Sequence, residues 1–166
     1  MFRVNEVSMN IRHHTGLGLM TTLRRGLCHD SGMAAFTWTT RIRFVDTDAS
    51  QRIHYTALFR FFEAAEQEFL RELGLVYSGL ADSEAGWPRV RAECDISGAL
   101  VYDDEINIEI SVNRVGTSSF ELGFRAIKES QECAKGKVVI VCMNTGTQRA
   151  QALPEAFATA LRNHAQ

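Results

Sequence analysis

One long amphipathic helix among strands is the feature of this sequence that most limits its fold. Over residues 56–73, apolar side chains recur at helical spacing and form a single stripe. Gly74 follows the last of them, at the position where a helix commonly ends in the left-handed conformation. No later segment of comparable length has this period, so the remaining large elements of the 166-residue chain are predicted to be strands.

Five segments have the pattern of strands. A run with a period of two begins at residue 36 and ends at Asp46, and three later runs also alternate apolar with polar side chains, as strands with one wet face do. Residues 138–143 are apolar at every position, which is typical of a strand covered on both sides. The predicted strands are 36–46, 89–96, 106–113, 120–126 and 138–143.

This order of elements predicts an antiparallel sheet with one long helix packed on it, in the α+β class. One helix cannot cover both faces of a sheet. The apolar strand 138–143 therefore needs cover from the curvature of its own sheet or from another subunit, which favours a homo-oligomer. A short helix is predicted over residues 154–163, with a proline in its first turn.

The first 35 residues differ in composition from the rest of the chain. They carry a net charge of +2 and no sustained period, whereas the remainder carries −4. We expect residues 1–35 to be an amino-terminal extension, either a disordered leader or a stretch that precedes the true start of translation. Its arginines and its few acids also allow a transit peptide. The folded domain is expected over residues 36–166.

Charge and composition exclude several classes of function. A net charge of −2 provides no basic field for nucleic acid. No apolar run approaches the roughly 20 residues that a membrane span needs. The four cysteines show no CxxC spacing, which indicates reduced thiols in a cytoplasmic protein and no zinc motif.

The segment FVDTDASQRIHYT, between the first strand and the helix, is the most unusual in the chain. Two aspartates two residues apart, Asp46 and Asp48, suggest a cation site, but no third acidic ligand stands nearby. We interpret Asp46 as a loop carboxylate that accepts backbone N–H groups. Asp48 precedes a helix whose first turn offers unpaired N–H donors, which would polarise a carbonyl while the carboxylate attacks its carbon or activates water. This arrangement predicts acyl transfer.

A longer stretch, FVDTDASQRIHYTALFRFFEAAEQEFL, resembles the signature segment of the hotdog-fold acyl-CoA thioesterases of the 4-hydroxybenzoyl-CoA thioesterase family. The resemblance extends over about residues 36–160 and includes VRAECDISGALVYDDEINIEI, RVGTSSFEL and LPEAF. It implies hydrolysis of an acyl-CoA thioester without a metal or other cofactor. It also implies a five-stranded antiparallel sheet wrapped around the long helix, and a homodimer or a homotetramer built from dimers.

The resemblance also implies roles for residues near the start of the helix. Asp48 matches the second acid of the family's DxD and would act as nucleophile or general base. At the position of Tyr55, the backbone N–H would polarise the thioester oxygen. His54 stands where some relatives have the first residue of a Tyr-His pair, so a structural role competes with a catalytic one. Glu63 matches an acidic residue that would help to line the site, although an exposed, solvated glutamate is the more usual explanation.

Two departures from the family pattern affect the site. Many members carry glycine at the position of Ser50 or Gln51, so a different loop geometry is expected here. Some relatives carry several basic residues in the RVGTSSFEL turn that meet the phosphates of the coenzyme. Here the turn offers one arginine and three hydroxyl groups, and these candidates for coenzyme binding are Arg114, Thr117, Ser118 and Ser119.

Three functions are compatible with the sequence. The first is hydrolysis of an acyl-CoA or, as a second choice of substrate, an acyl-carrier-protein thioester. The second is a hydratase or dehydratase of the same fold, in which His54 and Asp48 would transfer protons. The third is a non-catalytic acyl-CoA-binding protein that has kept the fold.

Overall fold

The computed structural model describes residues 36–75 and 84–165 of the chain. The predicted extension over residues 1–35 lies outside this part. The elements, in chain order, are β1 (Phe36–Arg41), a 3-10 turn (Phe44–Asp46), α1 (Tyr55–Glu72), β2 (Ala85–Gly86), β3 (Arg89–Ile96), β4 (Glu105–Val115), β5 (Ser119–Lys128), β6 (Gln131–Val141), β7 (Met143–Asn144), β8 (Arg149–Ala150) and α2 (Glu155–Arg162).

The main sheet has five strands in the order β1-β4-β5-β6-β3, and every neighbouring pair is antiparallel. Helix α1 packs on one face of this sheet, while β2, β7 and β8 form a separate three-stranded sheet. The α+β class and the five-stranded hotdog arrangement are therefore confirmed. None of the described helices is both long enough and apolar enough to cross a membrane.

Helix α1 forms because its apolar stripe faces the sheet. Seven apolar residues of the helix are buried. They include Leu58, Phe61, Phe62, Phe69 and Leu70. Gly74 has a φ of 73°, so the helix ends in the left-handed conformation predicted for this glycine. The helix differs from the prediction by one residue at each end.

The helix packs closely on the sheet at Gly136. The ring of Phe62 on α1 stacks on that of Phe124 on β5, with the centroids 4.8 Å apart. Phe124 pairs across the strands with Gly136. A Cβ atom at Gly136 would lie 2.6 Å from Cε2 of Phe62 and 2.7 Å from the carbonyl oxygen of Glu93. The absent side chain therefore leaves the space that the Phe62 ring occupies.

Two predicted strand boundaries are wrong by more than two residues. Strand β1 ends at Arg41, because the chain then turns through the 3-10 turn, which leaves the Phe44 side chain 80% exposed instead of half-buried. Strand β6 begins at Gln131, well before the predicted start at residue 138. The early part of β6 contains Ala134 and Gly136, small residues that make room for the core and therefore weaken the apolar pattern of the sequence.

The two faces of β6 differ in their cover within one chain. Val138 and Ile140 face the core and are buried, whereas Val139 and Val141 are half-buried. Cover by a second subunit stays a prediction for the outer valines.

Candidate active site

The loop between β1 and α1 folds back on itself and brings Asp48 to the beginning of the helix. Thr47 and Ile53 form an antiparallel bridge. The N–H of Asp48 donates to the carbonyl of Arg52 over 2.9 Å. Because the two arms of the loop are paired, Asp48 lies in a short hairpin whose second arm continues into the first helical residue, Tyr55.

Asp46 is the buried anchor of this loop, since its side chain has no solvent exposure. Its Oδ2 accepts the backbone N–H of Arg43 at 2.9 Å, and its Oδ1 accepts Nη2 of Arg60 at 2.8 Å. Burial raises the pKa of Asp46, but the hydrogen bonds from Arg43 and Arg60 outweigh it and lower the pKa below its ordinary value. Asp46 therefore remains ionised, and it accepts a backbone N–H as the sequence predicted.

Asp48 is exposed, and its carboxylate is held by one neighbour. Its Oδ1 accepts the backbone N–H of Ser50 at 2.7 Å and the Ser50 hydroxyl at 2.5 Å. These two hydrogen bonds, with the hydroxyl bond first, lower the pKa of Asp48 below its ordinary value. Because Ser50 occupies Oδ1, Oδ2 is the more available oxygen for a reacting group. The carboxylate is thus oriented and kept ionised at the same time.

The first residue of α1 presents a free backbone donor. The ring of His54 caps the helix: its Nδ1 lies 2.7 Å from Oγ1 of Thr56 and accepts the Thr56 N–H at 3.4 Å. The N–H of Ala57 donates to the His54 carbonyl at 2.8 Å. Within residues 36–75 and 84–165, the N–H of Tyr55 has no hydrogen-bond acceptor. A carbonyl oxygen placed there would meet both this donor and the positive end of the helix dipole.

The cap limits what His54 can do. If its Nδ1 accepts the Thr56 N–H, the ring proton of the neutral side chain sits on Nε2. The ring also stacks on that of Tyr55, with the centroids 4.7 Å apart. Both contacts support the structural interpretation of His54.

The backbone at Gln51 accounts for one departure from the family pattern. Its φ is 63°, in the left-handed region that glycine enters at least cost. This is one of the two positions at which many family members carry glycine. In this chain the loop adopts a conformation that suits glycine although the residue is glutamine. A loop geometry different from that of the family stays a prediction.

Exposed aromatic side chains surround the loop. Phe44 and Tyr102 meet edge to face, with the centroids 6.2 Å apart. Val101, next to Tyr102, forms a β-bridge with Arg52 of the loop. The side chain of Tyr55 is 63% exposed at the start of α1. These side chains give the surface next to the loop an exposed apolar and aromatic character.

The structure does not bring Glu63 to the loop. Glu63 is exposed and lies eight residues beyond Tyr55 in the same helix, about 12 Å along the axis at roughly 1.5 Å per residue. Within one chain its position is that of a solvated glutamate, two turns from the helix start.

The candidates for coenzyme binding lie at the other end of the sheet. Strand β4 begins at Glu105, which pairs with Arg41 just before the loop, and Arg114 stands near the end of β4. The nine residue steps from Glu105 to Arg114 span about 30 Å at roughly 3.3 Å per residue. Thr117 and Ser118 accept the N–H groups of Leu153 and Cys142 through their carbonyls, both at 2.8 Å. Ser119 begins β5. One chain therefore does not place these residues beside Asp48.

Three structurally important ion pairs were not found from the sequence. Arg43 and Arg60 bind Asp46, and Arg89 binds the buried carboxylate of Glu66 on α1 at 2.6 Å. Arg43 stands three residues before Asp46, a spacing that could have signalled a capping interaction. Arg60 and Arg89 gave no such signal, because their partners are distant in sequence.

Several known proteins are similar to this chain in sequence or fold. A 1,4-dihydroxy-2-naphthoyl-CoA hydrolase from Synechococcus sp. (strain WH7803) is 32% identical over 128 residues, which cover 72% of this chain and 83% of that protein. The structure of a gentisyl-coenzyme A thioesterase is similar at 28% identity with a TM-score of 0.70, and the match covers 76% of this chain and 99% of that one.

A third protein shares the fold at lower identity. It is a 1,4-dihydroxy-2-naphthoyl-CoA thioesterase from Synechocystis, with a TM-score of 0.74, 16% identity and coverage of 78% of this chain and 97% of that one. The family described as the Thioesterase-like superfamily matches residues 35–161, which include the loop, the long helix and all five strands of the main sheet. The chain therefore belongs to the Thioesterase-like superfamily.

Proposed function

We propose that this chain is an acyl-CoA thioesterase, a hydrolase that converts an acyl-CoA into a free acid and CoA without a cofactor. Within the superfamily we assign it to the 4-hydroxybenzoyl-CoA thioesterase family. The relatives named as CoA-thioester hydrolases support the activity. The observation that carries the proposal is the exposed Asp48 carboxylate on the same hairpin as the free N–H of Tyr55.

In the proposed reaction, the Tyr55 N–H donates to the thioester oxygen and stabilises the charge that develops there. Asp48 acts on the carbonyl carbon in one of two ways. As a general base it takes a proton from the water that attacks this carbon. As a nucleophile it forms an acyl anhydride that water then opens. In both cases the carbon–sulfur bond breaks, the sulfur leaves as the CoA thiol after protonation, and the acid is released.

The proposed acyl group is aromatic. The relatives are named for 1,4-dihydroxy-2-naphthoyl and gentisyl esters, both of which carry an aromatic ring. The edge-to-face pair of Phe44 and Tyr102 beside the loop offers aromatic surface to such a ring. Tyr102→Ala should therefore slow hydrolysis of benzoyl-CoA more than that of butyryl-CoA.

We also propose that two chains contribute to each site, in a cytoplasmic homodimer or homotetramer. The distance of about 30 Å between the Asp48 end of the sheet and the turn after Arg114 supports this arrangement. A turn from a second chain could lie close to Asp48, whereas the turn of the same chain does not.

The test is release of free thiol by the purified chain from a panel of aromatic and aliphatic acyl-CoAs. We expect Asp48→Asn to lower kcat/KM by about 10²- to 10⁴-fold while the far-UV circular dichroism stays unchanged. Asp95→Asn is the matched control, because this exposed aspartate lies on β3, away from the loop. Thiol release is followed against a baseline without substrate, since the described part of the chain contains three free cysteines.

Three results would contradict the proposal. Equal activity of Asp48→Asn would remove Asp48 from the mechanism. Water addition to an enoyl-CoA without thiol release would favour the hydratase, with His54 as its second group. Binding of CoA esters without turnover would favour a non-catalytic binding protein.

A further inference from the structure

We infer that Asp46 is a positioning residue that, together with Arg60, fixes the distance between Asp48 and the start of helix α1. The inference rests on the proposed function, because it concerns the same reaction. It gives the first aspartate of the DxD a role beyond that of a loop carboxylate.

Asp46 is attached to the beginning of α1 at two points. Its backbone carbonyl accepts the N–H of His54, the N-cap residue, at 2.8 Å. Its side-chain Oδ1 accepts Nη2 of Arg60, in the second turn of the helix, at 2.8 Å. A residue held to a helix by both its main chain and its side chain cannot shift along the axis or rotate about it without losing one bond.

Asp46 is also attached to the strand side of the loop. Its Oδ2 accepts the backbone N–H of Arg43 at 2.9 Å and Nε of the same residue at 3.2 Å. The buried carboxylate therefore joins the end of β1 to α1. Since Asp48 follows only two residues later, this joint determines where its carboxylate stands relative to the Tyr55 N–H.

The proposed reaction depends on the distance between the Asp48 carboxylate and the Tyr55 N–H. The proposed reaction needs one carbonyl group to meet a donor at its oxygen and a carboxylate at its carbon simultaneously. A misplacement of about 1 Å in such an arrangement costs on the order of 10²-fold in rate. A bidentate carboxylate with charged donors on both sides is a stiffer connection than the exposed loop alone would provide.

The most informative variant is Arg60→Gln, which removes the helix attachment but leaves Asp46 paired with Arg43. We expect kcat to fall by about 10- to 100-fold, with KM changed by less than about twofold. Arg60→Lys keeps a charged donor and should recover part of the loss. Arg71→Gln is the matched control: Arg71 lies on the same helix, is 56% exposed compared with 54% for Arg60, and pairs with Glu68.

A double-mutant cycle separates positioning from general damage to the fold. If Arg60 acts through Asp48, Arg60→Gln should change the residual rate of Asp48→Asn by less than about twofold. An equal loss in both backgrounds would show a merely structural role and overturn the inference. Asp46→Asn, measured per folded molecule, should reproduce the kcat loss of Arg60→Gln or exceed it.

The outcomes also separate this inference from the proposed function. Wild-type protein that hydrolyses no CoA ester overturns both. Active wild type, inactive Asp48→Asn and normal Arg60→Gln overturn the positioning role alone.

Discussion

The helix start and the turn after β4 are built from different kinds of bonds. Around the helix start, side-chain bonds reinforce the backbone pairing of the loop: Asp46 binds two arginines, Asp48 binds Ser50 and His54 caps the helix. In the turn at residues 115–119, backbone atoms carry the structure. The N–H of Gly116 donates to the carbonyl of Ser119 at 2.7 Å, and two further carbonyls accept from residues 142 and 153.

Because of this difference, the effects of substitutions on folding can be told apart from their effects on ligand binding. Within the described ranges, the side chains of residues 114–119 make no hydrogen bond or ion pair. Substitutions in the turn should therefore leave the fold intact and report on the ligand alone. Substitutions at the helix start should affect stability, geometry or both, depending on which aspartate is changed.

The largest effect is expected from Asp46→Asn, which should lower the free energy of unfolding by about 2–3 kcal/mol at neutral pH because two charged donors lose their ionised acceptor. Asp48→Asn should stay within about 0.5 kcal/mol of wild type, since its side chain is exposed. Urea denaturation measures the free energy of unfolding of both variants. Equal stabilities of the two variants would remove the contrast between the buried and the exposed aspartate.

The difference in unfolding free energy between wild type and Asp46→Asn depends on pH. Because the pKa of Asp46 is lowered in the folded chain, its stabilisation is fully present above the unfolded pKa of about 3.9 and is lost as the pH falls through the folded value. The difference between wild type and Asp46→Asn should therefore shrink in acid. A difference that persists undiminished would argue against an ionised Asp46.

A smaller effect is expected at the other end of the sheet. Arg114→Gln should raise KM for acyl-CoA by about 2- to 5-fold, through loss of an exposed contact with phosphate, while kcat and the melting temperature stay unchanged. High salt should reduce the difference, because it screens exposed charges. Steady-state kinetics at two ionic strengths checks this, with Arg71→Gln as the control. An unchanged KM would remove the turn from coenzyme binding.

The smallest effect at neutral pH is expected from Ser50→Ala. The Ser50 hydroxyl lowers the pKa of Asp48, so its removal should raise that pKa and move the acid limb of kcat/KM to higher pH. Near pH 7, activity should change by less than about twofold, because Asp48 stays ionised. A profile from about pH 4 to about pH 8 measures the shift. Ser97→Ala is the control. It removes a hydroxyl that donates to the Glu132 carbonyl and should leave the acid limb of the profile unchanged.

The elements of the fold were predictable where apolar side chains recur with one regular period along the sequence. Helix α1 and strands β4 and β5 have continuous patterns, because each has one face in the core and one in water. Strand β3 has the same alternation, but none of its residues is buried within one chain. The predictions were wrong at Phe44 and at the start of β6, for opposite reasons. Phe44 continues the alternation although the chain has already turned, whereas Ala134 and Gly136 are too small to reveal that their strand is buried.

The site was predictable as a segment but not as a set of bonds. The loop carboxylates and the helix start stand together in the sequence, so their proximity follows from a short hairpin. The bonds from Arg60 to Asp46 and from Arg89 to Glu66 join residues 14 and 23 positions apart. Only the folded chain reveals such partners, because any exposed helix or strand carries arginines. The roles of Asp48, Tyr55 and the Arg114 turn remain predictions.

The missing side chain at Gly136 restricts how this chain can diverge. Any larger residue there would press on the Phe62 ring and on the backbone of β3, because a Cβ atom would lie within 2.7 Å of both. The whole helix would then be displaced from the sheet, and its first turn would move away from the loop that carries Asp48. Variation that adapts the protein to new acyl groups is therefore expected in the exposed aromatic residues, while position 136 stays glycine.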